Sequence, residues 1–220
     1  MTDYSSPQIG SAKIGVLAIQ GDYERHAAAL EEAGAQPSLV KTSDALEDLD
    51  GLILPGGEST TMLKFLTRGD AGHTLFDALK AFAQEKPVFG TCAGAILLAS
   101  EVRHPHQASL GILDIAVERN AYGAQRDSAI LTLDTTLPGG PLETVFIRAP
   151  RIVAILDAGG PEVEILAERE GFPVLIRQGK AMAATFHPEL SADRRVHRLF
   201  VDLVEANRGA AAKSESIASL

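Results

Sequence analysis

Along the first half of the chain, short continuous apolar runs alternate with stretches whose apolar residues are spaced as on one face of a helix. The run KIGVLAIQG at 13–21 closes on a glycine, and DYERHAAALEEAG after it has the Ala, Leu and Glu content of a helix with Gly34 as its stop. Together they predict one β-α step. The pattern then repeats: PSLVK predicts a short strand, SDALEDLD a short helix with Ser43 as N-cap, and GLILPGG a buried strand running into a glycine turn. Strands that are apolar throughout, rather than alternating, belong in a parallel sheet covered on both faces. ESTTMLKFL and HTLFDALKAFAQ predict helices, PVFG another short strand, and CAGAILLAS a helix that begins at the cysteine.

Beyond residue 110 the texture changes. DIAVERN, SAILTLDT, TVFIRA, VEILAERE, PVLIRQG and KAMAATF are short, rich in branched residues and parted by Gly or Pro. They predict a mainly strand-forming second half with antiparallel additions. DRRVHRLFVDLVEAN closes the pattern as a final helix. Residues 13–207 are expected to form one α/β domain, with 1–12 and 208–220 as flexible polar tails.

Composition narrows the class. With 220 residues, 45% of them hydrophobic, the chain can bury one sizeable core. A formal net charge of -9, with no dense Lys/Arg run to offset it, would repel a phosphate backbone, so no nucleic-acid partner is expected. The single cysteine excludes an intrachain disulfide and a Cys-rich metal site, and suits a reducing compartment. MTDYSSPQIGSA lacks the basic start and apolar core of a signal peptide, and no apolar run approaches the roughly 18 residues that cross a bilayer. The expectation is a cytoplasmic protein with no membrane partner.

Three short segments carry candidate chemistry. Gly90-Thr91-Cys92-Ala93-Gly94 lies between an apolar strand and a helix, the setting of a nucleophile elbow, in which flanking glycines permit a sharp turn that lifts the nucleophile above the sheet. The dipole and free N–H groups of the helix start favour an anionic nucleophile. A thiolate needs a base that takes and returns a proton, and a third group to orient that base. His187-Pro188-Glu189 offers both, because residues two apart in an extended stretch project to one side and Pro188 biases His187 to such a conformation. Pro55-Gly56-Gly57-Glu58-Ser59-Thr60 follows the strand GLIL, and consecutive glycines let backbone N–H groups approach an anion. The oxyanion hole is assigned to Gly56, Gly57 and Ala93. Taken singly, each segment also has a bland reading, namely a buried structural cysteine, a surface turn and a strand-to-helix turn.

Together the elbow, His187-Pro188-Glu189 and the Pro55-Gly56-Gly57 turn resemble a class I, triad-type glutamine amidotransferase. Further strings bring the resemblance to the glutaminase subunits of pyridoxal 5'-phosphate synthases: Ile14-Gly15-Val16-Leu17 with Gln20-Gly21, Gly51 through Met62, Val117-Glu118-Arg119-Asn120, Val145-Phe146-Ile147-Arg148-Ala149-Pro150 and Phe186 through Leu190. The resemblance spans about residues 13–207. It implies a flavodoxin-like, mostly parallel sheet flanked by helices. It also implies Cys92 as nucleophile, His187 as general acid/base and Glu189 as its orienting partner, with L-glutamine bound by Gly57, Glu58, Ser59, Arg119, Ile147 and Arg148. Ammonia would pass to a synthase subunit that builds pyridoxal 5'-phosphate from ribose 5-phosphate and glyceraldehyde 3-phosphate, and neither cofactor nor metal is implied. The chain departs from this pattern in its longer polar tails and in Ala124, where a basic residue would be unsurprising. Two alternatives share the elbow, a DJ-1/PfpI-like cysteine hydrolase and a catalytically silent regulatory subunit. The remaining histidines, His26, His73, His104, His106 and His197, carry no assigned role.

Overall fold

Apolar residues that alternate between two faces dictate a sheet buried on both sides. In strand β3 (Gly51–Leu54), Leu52 and Leu54 enter one core layer and Ile53 the opposite one. Strand β12 (Ala181–Ala184) divides in the same way, and neither strand has an exposed residue. The computed structural model describes residues 10–70, 72–119 and 128–218. The N-terminal tail as far as residue 9, and Ala124 with its neighbours 120–127, lie outside the described residues.

The central sheet has the order β10-β11-β12-β4-β3-β1-β2. It joins β1 (Lys13–Leu17), β2 (Gln36–Val40), β3, β4 (Val88–Thr91) and β12 in parallel, while β11 (Phe172–Gln178) and β10 (Val163–Arg169) add on antiparallel. One face is covered by α2 (Ser59–Leu66), α3 (Leu75–Glu85) and α4 (Ala93–Leu98), through Met62, Leu66, Leu79 and Leu97. The other is covered by α1 (Tyr23–Glu32) and α5 (Arg195–Ala218), through Leu30, Val196, Phe200 and Val204. A second sheet of β5 (Ala99–Arg103), β6 (Leu113–Glu118) and β9 (Arg151–Ile155) packs into the first layer. The antiparallel hairpin β7 (Ala129–Leu133) with β8 (Leu142–Phe146) packs into the second. The expected mostly parallel α/β architecture with antiparallel additions is present.

Three local expectations change. The stretch 92–100 is not one helix: α4 ends at Leu98, and Ala99 begins β5, whose pairing with β6 overrides the helix-forming composition. Strand β9 was not expected as a separate element. The final helix, expected over 193–207, begins at Arg195 and continues to Ala218. Ala-rich sequence there favours propagation from a helix already anchored by its buried face.

Because five neighbouring strands run parallel, their C-terminal ends open on one edge. The segments after β1, β3, β4 and β12 meet there, as ligand-binding loops do in open α/β sheets.

Candidate active site

The register Ala184↔Thr91 puts the residues that leave β12 and β4 side by side. Cys92 directly follows β4 with φ 49° and ψ −104°, a left-handed conformation that a non-glycine residue adopts only under constraint. The constraint is visible on both sides. A Cβ at Gly90 would lie 2.5 Å from the carbonyl of Gly94, and one at Gly94 would run into the carbonyl of Leu54. The Cys92 N–H donates to Ala184 O at 2.8 Å, which pins the turn to β12. Ala93 opens α4, so its N–H has no partner within the helix.

His187 is held by its own N–H, which donates to Val145 O at 2.8 Å. Its Nδ1 lies 2.7 Å from Glu189 Oε1. That contact occupies one ring nitrogen and leaves Nε2 free to face Cys92, whose nearness is felt in the titration of the ring. The expected pairing of His187 with Glu189 therefore exists, but not through an extended chain. Pro188–Leu190 is a 3-10 turn, and it is this turn that swings Glu189 behind the imidazole. Burial opposes a charge on His187, yet its hydrogen bonds to Cys92 and Glu189 prevail and push it up to about 10. Glu189 has no exposed side-chain surface. Burial would raise its carboxyl, but the charge of His26 and the hydrogen bond from His187 hold it well below the usual carboxylate range.

Cys92 and His187 open onto a cavity of about 460 Å³, whose wall also includes Gly56, Gly57, Glu58, Ser59, Arg119, Ile147 and Arg148. Glu189 stands behind this wall, and Ala93 beside Cys92. Gly57 has φ +142°, which disfavours a side chain at that point of the wall. Glu58 is the N-cap of α2, its carboxylate accepting from Thr60 N at 3.0 Å, Thr61 N at 2.7 Å and Thr61 Oγ1 at 2.8 Å. Burial works against its charge, but these donors lower it to about 2. Arg119 Nη2 donates to Glu58 Oε1 at 3.2 Å and Thr60 Oγ1 at 2.7 Å, so both residues are braced before any ligand arrives. Ser59 Oγ donates to Gln107 Oε1 at 3.1 Å. Arg148 also has a left-handed backbone, φ 46°.

Several neighbours escaped the reading of the sequence. Gln20 lines the cavity and its Oε1 accepts from Glu58 N at 3.0 Å. His26 reaches Glu189 from α1, Nε2 to Oε2 3.2 Å. A signal for His26 existed in the helical spacing it shares with the buried Ala29 and Leu30. Among the described residues no group of three or more His, Cys, Asp or Glu is placed to hold a metal ion. No helix of the described residues is long and apolar enough to cross a membrane.

Comparison with known proteins agrees with this geometry. A protein from Koribacter versatilis named pyridoxal 5'-phosphate synthase subunit PdxT is 56% identical over 192 residues, 87% of this chain and 95% of its own. The protein of the same name from Solibacter usitatus is 54% identical over 196 residues, 86% of this chain and 97% of its own. A crystal structure of a glutamine amidotransferase superposes with a TM-score of 0.77 at 43% identity, covering 87% of this chain and 98% of that one. The model of the SNO glutamine amidotransferase family matches residues 16–206. By that match and these identities, the chain belongs to the SNO glutamine amidotransferase family.

Proposed function

We propose that this chain hydrolyses L-glutamine at Cys92 and supplies the ammonia to the synthase subunit of a pyridoxal 5'-phosphate synthase in the cytoplasm. The observation that carries the chemistry is that Cys92 and His187 open onto one cavity while Glu189 holds Nδ1 of His187 from behind at 2.7 Å. The synthase assignment rests on relatives that are named as subunits of that enzyme and match over nearly their whole length.

The Cys92 sulfur, its proton held by His187, attacks the side-chain carbonyl carbon of glutamine. Backbone N–H groups of Gly56, Gly57 and Ala93 receive the oxyanion. His187 gives its proton to the amide nitrogen as the C–N bond breaks, ammonia leaves, and a thioester remains on Cys92. Water then gives a proton to His187 while its oxygen attacks the thioester, and glutamate departs as the sulfur is released. Glu189 keeps the imidazole oriented and its charge stabilised throughout. Glu58 with Arg119 and Arg148 supplies charges of both signs, as a substrate carrying an ammonium and a carboxylate requires, and Gly57, Ser59 and Ile147 complete the wall around it. The glutaminase unit is the domain 13–207.

The test combines the chain with synthase subunit, ribose 5-phosphate and glyceraldehyde 3-phosphate, with glutamine as the nitrogen source. Pyridoxal 5'-phosphate should form only when this chain is present, while ammonium salt should bypass it. Equal formation from glutamine with and without the chain would refute the reading.

A further inference from the structure

His26 lies on the α1 face that also carries Ala29 and Leu30, with none of its surface exposed to solvent. A fully buried imidazole is tolerated when its nitrogens find partners. Here both do. Nδ1 lies 3.0 Å from Nε2 of His197 on α5, and Nε2 lies 3.1 Å from Oγ1 of Thr91 and 3.2 Å from Oε2 of Glu189. Thr91 immediately precedes Cys92. The two oxygens of Glu189 thus face two imidazoles, Oε1 that of His187 and Oε2 that of His26. Oε2 meets Nε2 of His26 at 3.2 Å, a close polar contact short of full hydrogen-bond alignment. A carboxylate oxygen buried without such a neighbour would be costly and would favour rotation or protonation of the group.

Resting on the glutaminase reading above, we propose that His26 is a positioning residue for glutamine hydrolysis. It keeps Glu189 ionised and turned so that Oε1 meets Nδ1 of His187, while His197 and Thr91 fix the ring of His26 from behind. The ionisable groups around it are Glu189 and His187 at the 3-10 turn, His197 in α5 with Arg194 just before that helix, and Cys92 beyond Thr91. Burial, and after it the neighbouring His26, push His197 down to about 3, so it stays neutral.

His26→Leu removes the contact, and His26→Gln restores a donor that can extend toward Oε2. Glutamine turnover is measured with saturating synthase subunit and expressed per active site, counted by labelling of Cys92 with a glutamine-analogue electrophile. The leucine variant should lose about 10- to 100-fold in kcat with KM unchanged, by analogy with the loss seen when the outer partner that orients a metal-ligating side chain is removed. Its alkaline limb should move to lower pH, because His187 loses part of the stabilisation of its charged form. His26→Gln should recover most of the rate. A purely structural His26 would lower the number of sites that label but leave kcat per site and the pH limb unchanged, and that result would overturn the proposal. Should His26→Leu fail to fold, His26→Asn, whose amide stops short of Oε2, gives the same contrast with His26→Gln. Cys92→Ala is run alongside. An active Cys92→Ala protein would sink the glutaminase reading itself, whereas an inactive one beside a fully active His26→Leu would sink the positioning role alone.

Discussion

Glu189 occupies a position where charge and orientation are inseparable, because it is buried and touches His187 at 2.7 Å. Glu189→Gln keeps the shape but loses the charge, and its amide can present the wrong group to Nδ1. We expect kcat for glutamine hydrolysis to fall by roughly 10² to 10⁴-fold with the fold intact. Steady-state kinetics beside a circular-dichroism spectrum checks this, and a variant with wild-type kcat would reduce the triad to a dyad. The pH profile follows from His187, whose folded pKa, about 10, lies above its ordinary value of 6.5. A raised pKa stabilises the protonated form, so this contribution to stability is complete below about pH 6.5 and disappears as pH rises through 10. Turnover, which uses the same protonated imidazole, should likewise persist into mildly alkaline buffer and fall near pH 10, as kcat/KM measured from pH 6 to 11 would show. The placing of Cys92, His187 and Glu189 together was legible because the elbow and the His-Pro-Glu string are local in sequence. His26 was not. Its partners Thr91 and His197 lie 65 and 171 positions away, and nothing adjacent to it distinguishes it from an ordinary core histidine.

At the level of elements, local signals held where local forces decide the outcome. Thr74 begins α3 with a capping box, Thr74 Oγ1 accepting from Asp77 N at 3.2 Å while the Asp77 carboxylate accepts from Thr74 N at 3.1 Å. Thr74→Ala should cost about 0.5–2 kcal/mol of stability without changing kcat, since α3 does not line the cavity. Denaturant titration and a glutaminase assay would separate the two effects. By contrast, Gly94→Ala should disrupt the elbow, because no room exists between its Cα and the Leu54 carbonyl. Loss of activity should then accompany loss of stability, and a stable, active alanine variant would contradict the packing argument. Strands β5 and β9 and the full length of α5 were less legible. Their extent depends on pairing and packing against distant segments, for example β6 between β5 and β9, rather than on their own composition.

For the whole molecule, the parallel sheet explains why residues from β1, β3, β4 and β12 converge on one edge, and the position of the cavity follows from that topology. The chain has an acidic balance of -9, so an electrostatically complementary partner surface would have to be basic. The Gly56-Gly57 turn can take several backbone states, and docking could fix the one that aims its N–H groups at the oxyanion. Saturating synthase subunit should therefore raise kcat for glutamine hydrolysis by roughly 10² to 10³-fold, the worth of one oxyanion donor. Equal rates with and without a docked partner would make this chain a constitutive glutaminase. The central claim, that Cys92 cuts ammonia from glutamine, is tested most directly by glutamate release from L-glutamine, wild type against Cys92→Ala, both saturated with synthase subunit. The account predicts a loss on the order of 10⁴-fold or more, since the chain has no second thiol to substitute. A Cys92→Ala protein that kept more than about a tenth of the wild-type rate would contradict it.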